Sequence, residues 1–229
     1  MSSSKSVDWK QIAGLVAAVG VVVWLWNTPV IYPLKVLVVF FHEMSHGLVA
    51  VATGGRIERI EVVAQEGGLC LTQGGNRFLT LSAGYLGSLI WGGILLITAA
   101  RTKQDKMVSF VLGLLLAGVA VAVVRPLYGF GFWFGALSGA ALVASGIWLP
   151  MAVNDWLLRL IGLTSCLYAV MDIKSDILDR PQERSDAYML SREFGMPVMF
   201  WGVVWITIAA VAAGWFLWMA ARTRSEQTS

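Results

Sequence analysis

The sequence is poor in charged residues, histidine and cysteine. Only 14% of its 229 residues are Asp, Glu, Lys or Arg, whereas 57% are hydrophobic and the mean hydropathy is +0.71. Soluble domains contain about 25% charged residues, so this composition excludes an ordinary soluble protein and indicates an integral membrane protein. The two cysteines, Cys70 and Cys166, are too few and too scattered for a disulfide framework or a thiolate zinc site.

Apolar runs of about 20 residues, the length needed to cross a bilayer, follow one another along the chain. We expect six or seven spans in an all-α polytopic membrane protein, with residues 1–229 forming a single integral membrane domain. The runs are 12–27, 33–53, 78–100, 107–124, 132–149, 152–171 and 197–221. Run 132–149 is rich in glycine, and either a full span or a re-entrant segment fits it.

The distribution of Lys and Arg indicates the orientation, because cytoplasmic loops carry an excess of these residues. With seven spans and a cytoplasmic N-terminus, ten cations lie inside and six outside, which favours this orientation. The inner cations are Lys5, Lys10, Arg56, Arg59, Arg77, Arg125, Lys174, Arg180, Arg184 and Arg192; the outer ones are Lys35, Arg101, Lys103, Lys106, Arg222 and Arg224. Nothing indicates a nucleic-acid groove, and the sequence gives no indication of the oligomeric state.

One stretch between the second and third runs, about 56–77, is typical of β structure. Ile57, Ile60, Val62 and Val63 lie among charged residues, and the pair Gly67-Gly68 predicts a turn before "LCLTQ". We expect a short β-hairpin here, with a solvated connector as the alternative. A charged loop, about 172–195, follows the sixth run.

Both histidines of the chain lie in "FFHEMSHGLVA", residues 40–50, inside the second apolar run. On a helix, His42 and His46 are four residues apart, so they share one face about 6 Å apart along the axis. Glu43 projects on nearly the same side. This is the pattern H-E-x-x-H, in which the histidines bind zinc and the glutamate takes a proton from water activated by the metal.

The alternative is a pair of histidines satisfied by hydrogen bonds between packed helices, with the glutamate paired to a neighbour. Two observations favour the metal. The complete histidine content of the chain is in the motif, and an ionisable Glu43 at mid-bilayer costs about 3 kcal/mol unless something compensates it.

A hydrolytic zinc site needs a third protein ligand and an open position. Without further histidines or paired cysteines, that ligand must be a carboxylate, and the candidates near the sixth run are Asp155, Asp172 and Asp176. The predicted topology puts Asp172 at the depth of the histidines and Asp155 at the far end of the span. Asp176, one turn below Asp172, is an alternative ligand or a partner that orients one. A charged helix end at the water interface would also explain this pair of aspartates.

These features together resemble the site-2 protease family of intramembrane zinc metallopeptidases, and most closely its peptidase M50B-like branch. The resemblance rests on "HEMSH", the hairpin, the small-residue helix "LSAGYLGSLIWGG" and the late aspartate in "YAVMDIKSD", over residues 33–91 and 167–179. It implies zinc held by His42, His46 and Asp172, with Glu43 as the catalytic base. Better-known members carry an Asn/Pro motif that ends in Asp-Gly, whereas Asp172 is followed by Ile173.

The resemblance also implies the activity, which is cleavage of membrane-spanning protein substrates near the inner face of the bilayer. A helical substrate must unwind first, and the strand with Ile57, Ile60 and Val62 could hold the extended chain by β-augmentation. The alternative is a non-proteolytic zinc-binding membrane protein, either a pseudo-protease or a client-binding module. Because a pseudo-protease would usually have lost its glutamate, the presence of Glu43 favours an enzyme.

Overall fold

A computed structural model of the protein describes residues 9–180, 182 and 184–221, with the backbone alone for residues 9–11. The described part contains eight α-helices and two β-strands. In chain order they are α1 (Trp9–Trp24), α2 (Tyr32–Ala52), β1 (Arg56–Val63), β2 (Gly67–Gln73), α3 (Arg77–Arg101), α4 (Asp105–Val123), α5 (Phe130–Trp148), α6 (Met151–Lys174), α7 (Asp186–Phe194) and α8 (Val198–Ala221). A π-helical turn, Ser175–Asp179, extends α6.

Six of the described helices are long and apolar enough to cross a membrane: α2, α3, α4, α5, α8, and α6 with its π-helical turn. The prediction of an all-α polytopic membrane protein with a hairpin after the second run is therefore confirmed. The first run forms α1, which has 16 residues and is shorter than a typical span. The glycine-rich run forms the continuous helix α5 rather than a re-entrant segment.

Helices α3 and α6 pack antiparallel at the centre of the bundle, and two glycines allow their backbones to approach closely. A Cβ built on Gly92 would lie 2.7 Å from the Gly162 carbonyl oxygen, and one on Gly162 would lie 2.8 Å from the Gly92 carbonyl oxygen. Beside this crossing, the Ser165 hydroxyl donates to the Ser88 carbonyl at 2.6 Å. The crossing brings the start of α3 beside the end of α6.

Strands β1 and β2 form an antiparallel hairpin whose register runs from Arg56 opposite Gln73 to Val63 opposite Gly67. The hairpin therefore exists, and the alternative of a solvated connector is wrong. One irregularity interrupts the register between Ile57 and Arg59. On the far edge of β1, the Arg125 N–H donates to the Ile60 carbonyl at 2.8 Å, so the chain after α4 occupies part of that edge.

The hairpin folds back along α2 instead of projecting away from the bundle. Near its base, Gly47 leaves room for the Ile57 side chain, which a Cβ at position 47 would overlap at 2.6 Å. At its turn, the Tyr32 hydroxyl donates to the Ala64 carbonyl at 2.8 Å, and Lys35 forms a 2.8 Å ion pair with Glu66. The hairpin is thus fixed at both ends and spans much of the length of α2.

The glycine crossing generates a prediction about stability. Substitution Gly92→Ala should lower the free energy of unfolding by about 1–3 kcal/mol, because the new methyl meets backbone atoms of α6 that cannot move independently. Thermal unfolding of the detergent-purified protein measures this effect. Gly118→Ala is the matched control, since a Cβ on Gly118 in α4 meets nothing within 4 Å. Equal unfolding midpoints for the two variants would contradict the close crossing.

Candidate active site

Helix α2 carries the motif on an uninterrupted stretch of helix, so the two histidines lie on one face. The ring centroids of His42 and His46 are 4.8 Å apart. Most of α2 is enclosed by the bundle and the hairpin, and His46 is 7% exposed. The four-residue spacing therefore produces the pair of neighbouring rings that the sequence predicts.

The two histidines direct one ring nitrogen each at the same carboxylate oxygen. Asp186 Oδ2 lies 3.1 Å from His42 Nε2 and 3.2 Å from His46 Nε2. The far nitrogen of His46, Nδ1, lies 2.6 Å from the Thr80 carbonyl oxygen. Because a carbonyl only accepts, Nδ1 carries the proton, and a neutral His46 presents its Nε2 lone pair to Asp186.

This arrangement fits a bound metal ion. A lone pair of His46 facing a carboxylate lone pair at 3.2 Å is unfavourable unless a cation or a proton lies between them. The candidate ligand atoms of His42, His46 and Asp186 all lie within 4.8 Å of one another. Gly84 leaves space beside them, because a Cβ there would collide with the His42 ring and the Asp186 carboxylate.

Asp186 is the first residue of α7, a short helix that follows the last turn of α6. The Ser185 hydroxyl accepts a hydrogen bond from the Tyr188 N–H at 3.2 Å and caps this helix. At the other end of α7, Glu193 forms a forked ion pair with Arg77 of α3, with the shortest contact at 3.0 Å. Helix α7 is therefore anchored against the start of α3, with its N-terminal carboxylate beside the two histidines.

The electrostatic surroundings keep Asp186 ionised. Burial alone would raise the pKa of Asp186, but when protons on both imidazoles take the place of a cation, the charges of His46 and His42 and their hydrogen bonds outweigh burial. They hold this pKa well below the usual range of an aspartate. An anionic oxygen facing two imidazoles is suited to share a cation with them.

The two aspartates that the sequence favours as metal ligands, Asp172 and Asp176, both lie near the histidines but contact different groups. Asp172 Oδ2 is 3.7 Å from His42 Nδ1, the ring nitrogen that faces away from Asp186. Asp176 is turned elsewhere, since it accepts the Tyr85 hydroxyl at 2.5 Å and pairs with Arg180 at 3.2 Å. Asp172 thus lies at the depth of the histidines, as the predicted topology indicates. Its carboxylate, however, lies on the side of the His42 ring that faces away from Asp186.

Asp155 lies far from the histidines along α6, where Arg159 donates to it at 2.8 Å. The sequence does not predict Asp186 as a ligand, because this aspartate lies in the charged loop, away from the apolar runs and their ends. The one sequence signal available was the helix-capping Ser185 in the charged loop, which predicts a helix start but no ligand.

Glu43 lies on the hairpin side of α2 and is 6% exposed. Its carboxylate contacts β2: a Cβ built on Gly68 would lie 2.8 Å from Glu43 Cδ, and the Cys70 backbone also interacts with the carboxylate. Glu43, both histidines, Asp172 and Asp186 line one cavity of about 240 Å³. The glutamate is therefore beside the candidate metal ligands without belonging to their cluster.

None of the three side chains proposed for substrate binding lines this cavity. Ile60 and Val62 are buried, at 0% and 4% exposure, and Ile57 packs against Gly47. Their role stays a prediction. The strand that borders the cavity is β2, through Gly67, Gly68, Leu69 and Cys70. Sequence alternation could not distinguish the two strands, because only the packing of the hairpin on α2 decides which strand borders the site.

The space at Gly84 generates a prediction about metal binding. Gly84→Ala should weaken zinc binding at least about 10-fold, since its methyl would displace the His42 ring or the Asp186 carboxylate. Zinc content and competition with a chelator measure this, and unchanged circular dichroism would show that the helices persist. Gly118→Ala again serves as the control. Full zinc affinity in Gly84→Ala would exclude this group of residues as the metal site.

A family model described as Peptidase M50B-like matches residues 15–216. Searches of curated proteins and of solved structures found no match. The matched segment covers most of the chain and includes both histidines, Glu43 and Asp186. The chain therefore belongs to the peptidase M50B-like family, a branch of the site-2 protease family of membrane-embedded peptidases.

Proposed function

We propose that this protein is an intramembrane zinc metalloprotease that cleaves membrane-spanning proteins near the inner face of the bilayer. The observation that carries this proposal is the convergence of His42 Nε2 and His46 Nε2 on Asp186 Oδ2, with Glu43 on the wall of the same cavity. Membership of a peptidase family supports the reaction class. The six candidate spans support a membrane-embedded site.

In this proposal His42, His46 and Asp186 hold the zinc ion. Two histidines and one carboxylate are a donor set typical of catalytic zinc, which leaves one position open. Zinc bound there would supply Lewis-acid chemistry, activating water and polarising the scissile carbonyl group. The Thr80 carbonyl fixes the orientation of His46 through its 2.6 Å contact. The charge of the Asp172 carboxylate, 3.7 Å from His42 Nδ1, favours the orientation in which Nδ1 carries the proton and Nε2 faces the site.

Glu43 is the general base and acid of the proposed reaction. Its carboxylate accepts a proton from the attacking water and then delivers a proton to the nitrogen of the leaving amine. Glu43 suits this task because it borders the cavity but is absent from the cluster of candidate ligands. Its enclosure excludes bulk water, which strengthens the electrostatic interactions within the site.

The substrate in this proposal is an unwound segment of a membrane-spanning helix. A peptide bond inside a helix is shielded by its own hydrogen bonds, so the substrate must become extended before it is cut. Strand β2 supports this mode of binding because it borders the cavity and, within the described part of the chain, pairs with another strand on one side only. We infer a cytoplasmic N-terminus with α1 as a short seventh crossing, which puts the base of the hairpin and the start of α3 at the inner face.

The first test of the proposal concerns the three aspartates. Asp186→Ala should abolish stoichiometric zinc binding, since it removes a ligand, whereas Asp172→Ala should weaken zinc about 10–100-fold through the orientation of His42. Asp176→Ala is the matched control and should retain zinc, because Asp176 is paired with Tyr85 and Arg180. Chelator competition on purified proteins measures all three. Loss of zinc in Asp172→Ala together with full zinc in Asp186→Ala would instead make Asp172 the third ligand.

The second test separates a protease from a zinc-binding module without catalytic activity. Glu43→Gln should retain zinc and fold but lose cleavage, since the amide cannot accept the proton from water. Cells with this variant should accumulate at least one uncut single-span membrane protein that wild-type cells shorten near the inner face. Comparison of the two membrane proteomes measures this, with His46→Ala as a control that loses both zinc and cleavage. Identical proteomes, with zinc retained, would favour the non-proteolytic alternative.

A further inference from the structure

We propose that Gly68 of β2 is a positioning residue for the catalytic base, holding the Glu43 carboxylate at the cavity by having no side chain. This inference rests on the proposed protease function. Its basis is the direct contact between β2 and Glu43, which involves a residue of the hairpin turn region rather than of the zinc motif.

The contact between Gly68 and Glu43 leaves no room for a methyl group. A Cβ built on Gly68 would lie 2.5 Å from Glu43 Cγ and 2.8 Å from Cδ, with a still closer contact to Oε1. Carbon atoms in van der Waals contact are about 3.5–4.0 Å apart, so one partner would have to move. The adjacent Gly67 is different, since its Cβ would meet only the Val63 side chain, at 3.3 Å. Of these two glycines, Gly68 is therefore the one at which a side chain would collide with Glu43.

The hairpin is not free to retreat from Glu43. Its turn is held by the 2.8 Å ion pair between Lys35 and Glu66 and by the Tyr32 hydroxyl on the Ala64 carbonyl. Its middle is held by the Arg125 N–H on the Ile60 carbonyl. A methyl at position 68 would therefore displace the Glu43 side chain rather than the strand. The unsubstituted strand fixes the carboxylate against its backbone at Gly68 and Cys70.

Displacement of Glu43 predicts a particular kinetic defect. Gly68→Ala should retain zinc and the KM for a single-span substrate, while kcat falls about 100-fold, because only the proton transfer loses its aligned base. Purified protein in proteoliposomes provides both constants. Gly118→Ala is the matched control and should keep the wild-type kcat. A defect confined to KM would overturn the inference and make Gly68 a substrate-binding residue.

A compensating substitution tests the contact itself. Glu43→Ala removes the Cγ, Cδ and Oε1 atoms that the new methyl would meet, and it also removes the base, so that only a low residual rate remains. In the Glu43→Ala background, Gly68→Ala should therefore reduce the residual kcat by much less than in the wild-type background. The same fold-reduction in both backgrounds would show that the two residues act independently and would overturn the proposal.

Thermal unfolding of the zinc-loaded proteins provides a readout that does not depend on activity. Gly68→Ala should lower the unfolding midpoint, or prevent folding, when Glu43 is intact, and Glu43→Ala should reverse this effect because it removes the atoms that the methyl meets. If the proposed protease function itself is wrong, the wild-type protein will cleave no more substrate than Glu43→Gln does. That result is distinct from the unfolding measurements, which test only the contact between Gly68 and Glu43. An unfolding defect that persists unchanged in the Glu43→Ala background would contradict the contact whatever the activity.

Discussion

The mutual compensation of buried ionisable groups is the constraint on which this structure depends. Glu43, His46 and Asp186 are each less than 10% exposed in a largely apolar bundle. Isolated charges in such surroundings are costly, and polar groups need partners. The contacts of both imidazoles with one Asp186 oxygen, and of His46 with the Thr80 carbonyl, meet this requirement. The surrounding elements are arranged to bring these partners to the same depth.

Small residues allow the elements around the site to approach closely. Gly92 and Gly162 bring α3 against α6, so that Thr80 and Asp172 both come near the histidines. Gly84 leaves space for the histidine and aspartate side chains, and Gly47 accepts the hairpin on α2. Of the glycines in α3, Gly92 thus allows close helix packing, and Gly84 leaves space at the candidate site. One residue type has both roles because each requires the absence of a Cβ.

Much of the fold could be predicted from the sequence, because burial in lipid requires long apolar helices. The six spans follow from run length, and the hairpin follows from β-branched residues before Gly67-Gly68. The pair His42 and His46 follows from helical spacing alone. Asp186 could not be predicted in this way, since it lies in a charged loop and reaches the site only through the docking of α7. The choice between β1 and β2 likewise depended on tertiary packing that no local pattern encodes.

The position of Asp186 in the chain affects the order of events during synthesis. The residue follows His42 by 144 positions, after five of the six candidate spans. A nascent chain has therefore inserted the H-E-x-x-H helix long before the carboxylate that faces its histidines leaves the ribosome. Until α7 docks, the newly made bundle lacks that carboxylate. If the site is hydrolytic as proposed, chains interrupted before α7 remain inert, and the membrane is not exposed to a partly built protease.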